Sequence, residues 1–350
     1  MNDEDFDESD AVGWDAINQA LDALYGEVEP AHWGSILPWR LGGEDPLEGV
    51  SAYQNDAPVP HLHFVTYGMS ELYEKESDDL ETSGFGFEFT FRLKGTPSET
   101  PIWVVNFLNN LARYVFETGN VFGVGHTMPL NSPIHVGSET KIRAVTFVED
   151  PQLEPIQTPH GRVEFLQIVG LTDDELVAIE AWNAERFCEL IARENPLLMT
   201  DLDRPSFLED ASFSEQVREC TLQDGSSTPA MYTPYLRYVE SGEETKFVLG
   251  ALMATGLSNH LLGRIPFGRD LTVYSDDFSV QFVPGDTFSF SHSEDEVQIE
   301  LPKSQAHAFA KMLVPIAGTY TSDEFPNFTL IIEPTEIKDR DGNVMDIIGE

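Results

Sequence analysis

The sequence predicts an α+β protein made of two α+β domains, each with a mixed or mainly antiparallel sheet and flanking helices. At 350 residues, the chain is about twice the length of a typical domain of roughly 150 residues. Segments with the two-residue alternation of strands are interspersed with segments whose apolar residues recur every three or four positions. This periodicity weakens between residues 206 and 240, which predicts a connector between the domains.

The charge of the chain limits its possible partners. It has 61 acidic and 20 basic residues, a net charge of −41. Binding to DNA or RNA requires a basic face that displaces counterions from phosphates, and docking on anionic lipid requires the same sign of charge. A hydrophobic fraction of 41% is nevertheless that of a globular protein and not of an acidic disordered chain. We therefore expect a folded protein whose partner is neither a nucleic acid nor a membrane.

Three sequence features predict a cytoplasmic protein. The first ten residues, MNDEDFDESD, lack the basic and apolar segments of a secretory signal. The two long uncharged stretches, 120–138 and 247–263, contain Pro, Gly, Asn and His and fall short of the roughly 20 predominantly apolar residues of a membrane helix. The two cysteines, Cys188 and Cys220, have no C-x-x-C spacing, so we expect reduced thiols and neither a disulfide framework nor a zinc-thiolate site.

Residues 1–29 are predicted to form an acidic, solvated tail followed by a helix. The tail contains Asp and Glu at six of its first ten positions, which repel one another and bury nothing. Trp14, Ile17 and Leu21 then recur at helical spacing, and Gly26 ends the periodic segment.

Residues 30–205 are assigned to the first domain. HLHFVTY at 61–67 is typical of a strand, and Phe alternates with polar residues over 85–93, which predicts a strand with one buried face. Thr100 and Pro101 then fit the N-cap and first turn of a helix that Gly119 ends.

The end of the first domain is predicted as a strand that leads directly into a helix. Residues 163–169 place Val163, Phe165, Gln167 and Val169 on one face and Leu166 and Ile168 on the other, so both faces are expected to be partly covered. Thr172 and Glu175 have capping-box spacing, and an apolar stripe continues to Ile191, which predicts one helix over this segment.

Residues 206–240 are interpreted as a connector with at most a short helix, and residues 241–350 as the second domain. Short alternating runs separated by Ser-Asp-Asp and Pro-Gly-Asp turns predict an antiparallel meander. A helix near 304–314 and a last strand near 328–332 complete this domain.

The sequence offers little catalytic chemistry. It contains no G-x-S-x-G, phosphate-loop or H-E-x-x-H motif. His61 and His63 are the best metal candidates, because residues two apart on a strand point to the same face, but no third ligand is identifiable. We therefore predict no metal and no organic cofactor, and a metal-assisted hydrolase that uses His61 and His63 stays open as the alternative function.

Several long segments resemble the Suppressor of fused family. The resemblance extends over residues 41–176 and is weaker around HLLGRIPFGRDLTVYS at 260–275. The segments that carry it are LGGEDPLEGVSAYQN (41–55), HLHFVTYGMSELY (61–73), SGFGFEFTFRLK (83–94), LARYVFETGNVF (111–122) and VEDPQLEPIQTPHGRVEFLQIVGLTDDEL (148–176).

The resemblance implies a two-domain α+β protein that binds other proteins and has no catalytic activity. Animal members hold a zinc-finger transcription factor in the cytoplasm by clamping a peptide, added as a strand, between the two domains. Bacterial relatives resemble immunity proteins that neutralise toxins. The family's peptide-contacting positions fall on Tyr114, on Glu149 with the adjoining Asp150, and on His126, where the family has a carboxylate.

The resemblance and the net charge together predict that the chain sequesters a basic protein partner through a strand or peptide bound between its two domains. The expected role is immunity or antitoxin-type in bacteria and restraint of a transcription factor in animals. An acidic binding protein attracts a basic partner at long range and disfavours acidic competitors. Zinc-finger factors and nuclease toxins are commonly basic. Adaptation to salt is the alternative explanation of the charge.

Overall fold

The computed structural model describes residues 11–37, 39–95, 101–241, 244–292, 296–338 and 342–350. Thr100 and the acidic tail before residue 11 lie outside these ranges. The fold is α+β, as predicted, and its contacts divide the chain into two compact units. Unit 1 contains the described residues up to Leu176 and Ala184–Asp210, and unit 2 contains Val177–Asn183 and Ala211–Glu350.

Unit 1 is built on an eight-stranded sheet in the order β1-β2-β3-β4-β8-β6-β5, with β7 paired to β8. The β4–β8 pair is parallel and the other pairs are antiparallel. Its elements are α1 (Val12–Tyr25), β1 (Ala31–Gly34), β2 (Gly49–Asn55), β3 (His61–Tyr67), β4 (Thr82–Lys94), α2 (Ile102–Thr118), β5 (Thr127–Pro129), β6 (Ile142–Glu149), β7 (Ile156–Thr158), β8 (Gly161–Thr172), α3 (Asp173–Ala181), whose second half belongs to unit 2, and α4 (Ala184–Ala192).

The two long helices of unit 1 cover opposite faces of this sheet. On β3, Phe64 belongs to the apolar cluster that contains the buried stripe of α2, whereas Val65 belongs to the cluster around α1. Successive residues of a strand point to opposite faces, so α2 and α1 lie on different sides. The predicted end of α2 is confirmed, because Gly119 has φ 71° and its N–H donates to the Val115 carbonyl.

Two features of unit 1 differ from the sequence prediction, and a third agrees with it. Both faces of β4 are buried, so the polar residues between the phenylalanines do not face solvent. The predicted helix from Thr172 to Ile191 is two helices, α3 and α4. The chain turns between them at Trp182, whose N–H donates to the Ile179 carbonyl three residues earlier. The capping-box bond is present, since the Thr172 N–H donates to Glu175 Oε2 at 2.9 Å.

Unit 2 contains a four-stranded sheet (β10-β11-β17-β16), a five-stranded sheet (β14-β15-β13-β12-β9) and a β18–β19 hairpin. Its elements, besides the second half of α3, are α5 (Ala211–Asp224), β9 (Ala230–Tyr232), β10 (Leu236–Ser241), β11 (Glu244–Gly250), α6 (Ala251–Arg264), β12 (Leu271–Tyr274), β13 (Ser279–Gly285), β14 (Ser289–His292), β15 (Glu296–Pro302), α7 (Ala306–Ala310), β16 (Gly318–Tyr320), β17 (Phe328–Glu333), β18 (Thr335–Lys338) and β19 (Val344–Ile348).

The predicted antiparallel meander of unit 2 is wrong. The pairs β9–β12, β11–β17 and β13–β15 are parallel, and parallel pairs need crossover connections, which a meander lacks. One crossover contains α6, a helix that was not predicted because the strand-like run 245–252 leads into it. Two further strands, β18 and β19, follow the predicted last strand.

The predicted connector contains a 14-residue helix, α5, and not at most a short one. Val217 is the one buried residue of α5, so the helix has no apolar stripe that sequence periodicity could detect. None of the helices in the described ranges combines the length and apolar character needed to cross a bilayer.

Candidate functional site

Tyr114 lies on α2 and is half-buried. Its ring centroid is 5.5 Å from that of Phe122, which stacks on Phe147 of β6 at 4.3 Å. Its hydroxyl oxygen is 3.5 Å from Asn120 Nδ2, and Asn120 is exposed. The ring therefore completes the edge of the apolar cluster, while part of the side chain remains accessible to a partner.

His126 precedes β5 and is exposed, although its ring is partly covered by the protein. Its carbonyl accepts hydrogen bonds from the Phe147 N–H at 3.1 Å and from Thr146 Oγ1 at 2.9 Å. Burial lowers the pKa of the imidazole, so the side chain is neutral at pH 7. Where the resemblance implies a carboxylate, this chain thus presents an uncharged ring.

Glu149 is the last residue of β6 and is exposed. It is two residues from Phe147, so its side chain points to the α2 face of the sheet, which also holds Tyr114. The Asp150 N–H donates to the Phe165 carbonyl of β8. Backbone groups alternate in direction along an antiparallel strand, so the N–H and C=O of Glu149 point away from β8, toward the edge of the sheet.

Asp150, predicted beside Glu149 as a partner contact, is buried and its carboxylate is engaged inside unit 1. The two carboxylate oxygens lie 2.6 and 2.9 Å from the Arg92 guanidinium nitrogens, and one lies 3.1 Å from His63 Nε2. The N–H groups of Gln152 and Leu153 also donate to it, at 2.8 and 3.0 Å. Asp150 therefore fixes the turn that follows Glu149, and any part it has in binding is indirect.

The ionisation of this buried cluster follows from its geometry. Burial alone would raise the pKa of Asp150, but His63 and Arg92 outweigh it and hold that pKa well below its usual range. Burial and the charge of Arg92 lower the pKa of His63 to about 4, against the opposing effect of Asp150. Arg92 is thus the cation of the cluster and His63 is neutral. The Nδ1 atom of His63 accepts a hydrogen bond from the Tyr25 hydroxyl at 2.6 Å, and the Nε2–H of His63 donates to Asp150.

Glu88 is a second buried carboxylate, and it lies on the same face of β4 as Arg92. It accepts hydrogen bonds from Thr66 Oγ1 at 2.7 Å, from the Gly68 N–H at 3.0 Å, from the Met69 N–H at 3.3 Å, and from the Ser70 N–H and Oγ at 3.0 and 2.6 Å. Burial raises the pKa of Glu88, although the bonds from Ser70 and Thr66 oppose the rise. Glu88 therefore holds the chain that follows β3 against the sheet.

Arg92 links Gln167 to Asp150 in a buried polar network, while Glu88 forms a separate set of buried hydrogen bonds with Thr66 and Ser70. The sequence alone did not identify any of Arg92, Gln167 and Glu88 as buried. Gln167 accepts from Arg92 and donates to the Leu197 and Leu198 carbonyls. The available signal was the presence of Glu and Arg among the phenylalanines of 85–93, since charged residues are almost never fully buried unless paired. Strict alternation predicts one buried face, and the structure buries the polar face as well.

The metal alternative gains no support from this geometry. Both ring nitrogens of His63 are hydrogen-bonded, to Tyr25 and Asp150, and His61 Nδ1 is 2.8 Å from the Val59 carbonyl. Among the residues described, no group of three or more His, Cys, Asp or Glu side chains is arranged to hold a metal ion.

Comparisons with known proteins identify relatives of this chain. A family model described as Suppressor of fused protein (SUFU) matches residues 43–205. The human Suppressor of fused homolog is 38% identical over 233 residues, which cover 59% of this chain and 48% of the human protein. The mouse homolog is 37% identical over the same length. The chain therefore spans about half the length of the curated relatives it matches.

Two solved structures extend the comparison. The crystal structure of Drosophila Suppressor of Fused matches 95% of this chain and 99% of its own, with a TM-score of 0.74 and 23% identity, which shows a shared fold. A chain of the Sufu–Fu complex crystal structure is 31% identical, with a TM-score of 0.55, and the match covers 60% of this chain and 97% of that one. The chain belongs to the Suppressor of fused family.

Proposed function

We propose that this chain is a regulatory protein that binds and sequesters a protein partner, a segment of which adds as a strand at the edge of the unit 1 sheet. The observation that carries the proposal is the end of β6. There, Glu149 has an exposed carboxylate and directs its backbone N–H and C=O away from β8. In strand addition, such backbone groups supply affinity and neighbouring side chains supply specificity. The relative crystallised in a Sufu–Fu complex supports a protein-binding role.

Tyr114 and Glu149 are the proposed contacts, with His126 beside them. A half-buried Tyr offers a large rigid surface and a hydroxyl, which is why Tyr is frequent at binding hot spots. Glu149 would pair with a basic or amide group of the partner. Because His126 is neutral, we expect this site to select a partner segment different from the segments that relatives bind with a carboxylate at the same position.

The proposed partner is basic and the proposed activity is non-catalytic. The net charge of −41 favours encounter with a positively charged protein. In a bacterial host, such a protein would be a toxin that this chain neutralises in the cytoplasm; in an animal host, it would be a transcription factor that the chain restrains. No metal or cofactor is needed for either role, and His61 and His63 take part in structural hydrogen bonds.

Site-specific photo-crosslinking tests the site. The photoreactive residue p-benzoylphenylalanine would replace Asn120, beside the Tyr114 hydroxyl, or Glu149, and the control position is Asp56, which is also exposed in unit 1. In cells of the native host, we expect the same protein to be crosslinked from positions 120 and 149 and not from 56. Equal crosslinking from all three positions, or different proteins from 120 and 149, would show that the site is wrong.

A further inference from the structure

We propose that a cleft near β1 is a second protein-binding surface of unit 1, and that it receives an arginine side chain from an extended basic segment of a protein partner. The cleft has a volume of about 460 Å³. Its lining includes Trp39, Phe85 and Phe116, together with the glutamates Glu74 and Glu76. None of Tyr114, His126 and Glu149 lines this cleft, so it is a surface distinct from the proposed site.

Three aromatic rings form one wall of the cleft. The ring of Phe116 is 5.8 Å from that of Trp39 and 4.9 Å from that of Phe85, both in edge-to-face geometry. All three side chains are half-buried, so part of each ring faces the cleft. An aromatic surface of this kind attracts a planar cation, because the ring face carries partial negative charge.

Carboxylates surround this aromatic wall. Four glutamates line the cleft, Glu48, Glu71, Glu74 and Glu76, and among the described lining residues there is no Lys or Arg. Lys75 is 2.7 Å from Glu71 Oε2, which leaves the exposed Glu74 and Glu76 at the cleft as the charges available to a partner. A guanidinium group can stack on an aromatic ring and pair with a carboxylate at the same time, which is the reason for assigning arginine.

Buried and partly buried hydrogen bonds preform the cleft. Glu88 holds Gly68, Met69 and Ser70, which line the cleft, through four of the bonds described above. Glu71 accepts from the N–H groups of Ser77 at 2.7 Å and of Gly84 at 3.1 Å. A site held open before binding avoids part of the entropy cost of ordering it.

Gly84 is required for this arrangement. Its φ is +57°, and a Cβ atom there would lie 2.7 Å from the Met69 carbonyl oxygen. The chain at Gly84 and the chain at Met69, which both line the cleft, can approach this closely only because residue 84 is glycine.

Exposed apolar side chains beside the cleft favour a protein segment over a free cation as the occupant. Ile36 is fully exposed, and Leu37 and Leu41 are 47% and 66% exposed, within five residues of Trp39 along the chain. Apolar residues of a partner that flank the inserted arginine would cover them. β1 leads directly into this segment, and the Ser35 N–H donates to the Glu48 carbonyl at the margin of the cleft.

Binding of a defined peptide tests the proposal. The probe is acetyl-GIRVRG-amide, compared with the same peptide in which citrulline, which is neutral and nearly isosteric, replaces both arginines. By isothermal titration calorimetry on the full chain, we expect the citrulline peptide to bind at least about fivefold more weakly. Equal affinity of the two peptides, or no binding of either, would overturn the proposal.

Matched variants separate the cleft from the general negative field of the protein. Glu74→Gln/Glu76→Gln and Glu139→Gln/Glu154→Gln remove the same charge from exposed positions of unit 1. The first pair should weaken the arginine peptide at least about fivefold and the second less than about twofold, since distant exposed charges are screened by salt. Similar losses in the two double variants would mean that the peptide binds through net charge alone.

Two further variants locate the ring contact. Trp39→Ala should weaken the arginine peptide by about tenfold, whereas Tyr114→Ala should leave its affinity unchanged. An unchanged affinity in Trp39→Ala would overturn the proposal, and a comparable loss in Tyr114→Ala would place the peptide at the other site. The surface glutamine variants keep the test decisive if Trp39→Ala does not fold.

Discussion

The two faces of the unit 1 sheet are buried in different ways. On the α2 side, Phe87, Phe89 and Phe91 of β4 belong to an apolar cluster. On the α1 side, Glu88 and Arg92 are equally buried but are held by hydrogen bonds and an ion pair. The comparison shows that strict alternation identifies a strand reliably, while it does not show whether the polar face meets solvent.

The two faces should also respond differently to mutation and to pH. An apolar face loses stability in proportion to the contacts removed and is insensitive to protonation. A buried polar face is stable only when its partners are complete, because one unpaired charge costs more than the pair contributed. Within the described residues, Arg92 Nε and His61 Nε2 lack a hydrogen-bond partner, so this network has little tolerance for further loss.

The largest effect is expected for Asp150→Ala. The substitution leaves the Arg92 guanidinium buried without its carboxylate, and the cost should be about 3 to 5 kcal/mol in the free energy of unfolding. Urea denaturation, followed by tryptophan fluorescence, would measure it. The matched control is Glu149→Ala, one residue earlier and exposed, which should cost less than about 0.5 kcal/mol. A loss below about 1 kcal/mol in Asp150→Ala would contradict the role assigned to the ion pair.

The second effect is the pH dependence that His63 contributes. The pKa of His63 in the folded chain, about 4, lies below its ordinary value of 6.5, so the neutral ring is the form that the fold stabilises. That contribution is complete above pH 6.5 and is lost as the pH falls from 6.5 through 4. The total is on the order of 3 kcal/mol, from about 1.4 kcal/mol per pKa unit.

NMR titration of the His63 ring protons provides the measurement. We expect the ring to remain neutral at pH 5 in the folded chain and to titrate near its ordinary value in urea. Phe89→Leu is a control on the opposite face, and its destabilisation should be the same at pH 7 and pH 5. A folded pKa above 6 for His63 would show that Asp150, and not Arg92 with burial, controls its charge.

Smaller again is the effect expected for Glu88→Gln. The amide retains one acceptor oxygen but turns its NH₂ group toward donors such as the N–H groups of Gly68 and Ser70. Leaving those donors unsatisfied should cost about 1 to 3 kcal/mol. Burial raises the pKa of Glu88 in the folded chain. The parent protein therefore loses stability as the pH rises from the unfolded-state pKa through the folded-state pKa, whereas the Gln variant does not. The difference in unfolding free energy between parent and variant should narrow at high pH. Equal stability of the two chains near pH 5 would show that the hydrogen bonds contribute little.

Local patterns predicted local structure well in this chain. The strand at His61–Tyr67, the first helix and the apolar stripe of α2 are confirmed, since each depends on periodicity within one segment. The pairing of β11 with β17 joins residues about 80 positions apart, and no turn signal between neighbours encodes it. α5 escaped prediction because it has almost no buried face.

The residues of the candidate site also show what local sequence can and cannot indicate. Tyr114 and Glu149 were selected through the family resemblance, and the structure places both on the α2 side of the sheet. The dipeptide Glu149-Asp150 gave no sign that one carboxylate is exposed and the other buried. That difference depends on Arg92 and His63, which are 58 and 87 residues distant in sequence and meet Asp150 only through the sheet register.

The smallest expected effect on stability belongs to the exposed margin of the apolar face, where we expect the largest effect on binding. Tyr114→Phe removes a hydroxyl whose contact with Asn120 is long, at 3.5 Å, and Glu149→Gln removes an exposed charge, so each should change the free energy of unfolding by less than about 0.5 kcal/mol. Binding should respond otherwise. Against the partner identified by crosslinking, Tyr114→Ala and Glu149→Gln should each raise the Kd at least about fivefold, as expected for hot-spot residues.

The control for this last prediction is Glu117→Gln, at a residue that lies on the same helix as Tyr114 and, like Glu149, is exposed to solvent. Glu117→Gln changes the net charge by the same amount as Glu149→Gln. If Glu117→Gln keeps the Kd of the parent, the loss of affinity in Glu149→Gln is specific to position 149 and is not caused by the overall negative charge of the protein. If Tyr114→Ala lowers the melting temperature as much as Phe89→Ala does, its ring is part of the core and its effect on binding is indirect. If both site variants keep the parent Kd and melting temperature, the edge of the sheet at β6 is not where the partner binds.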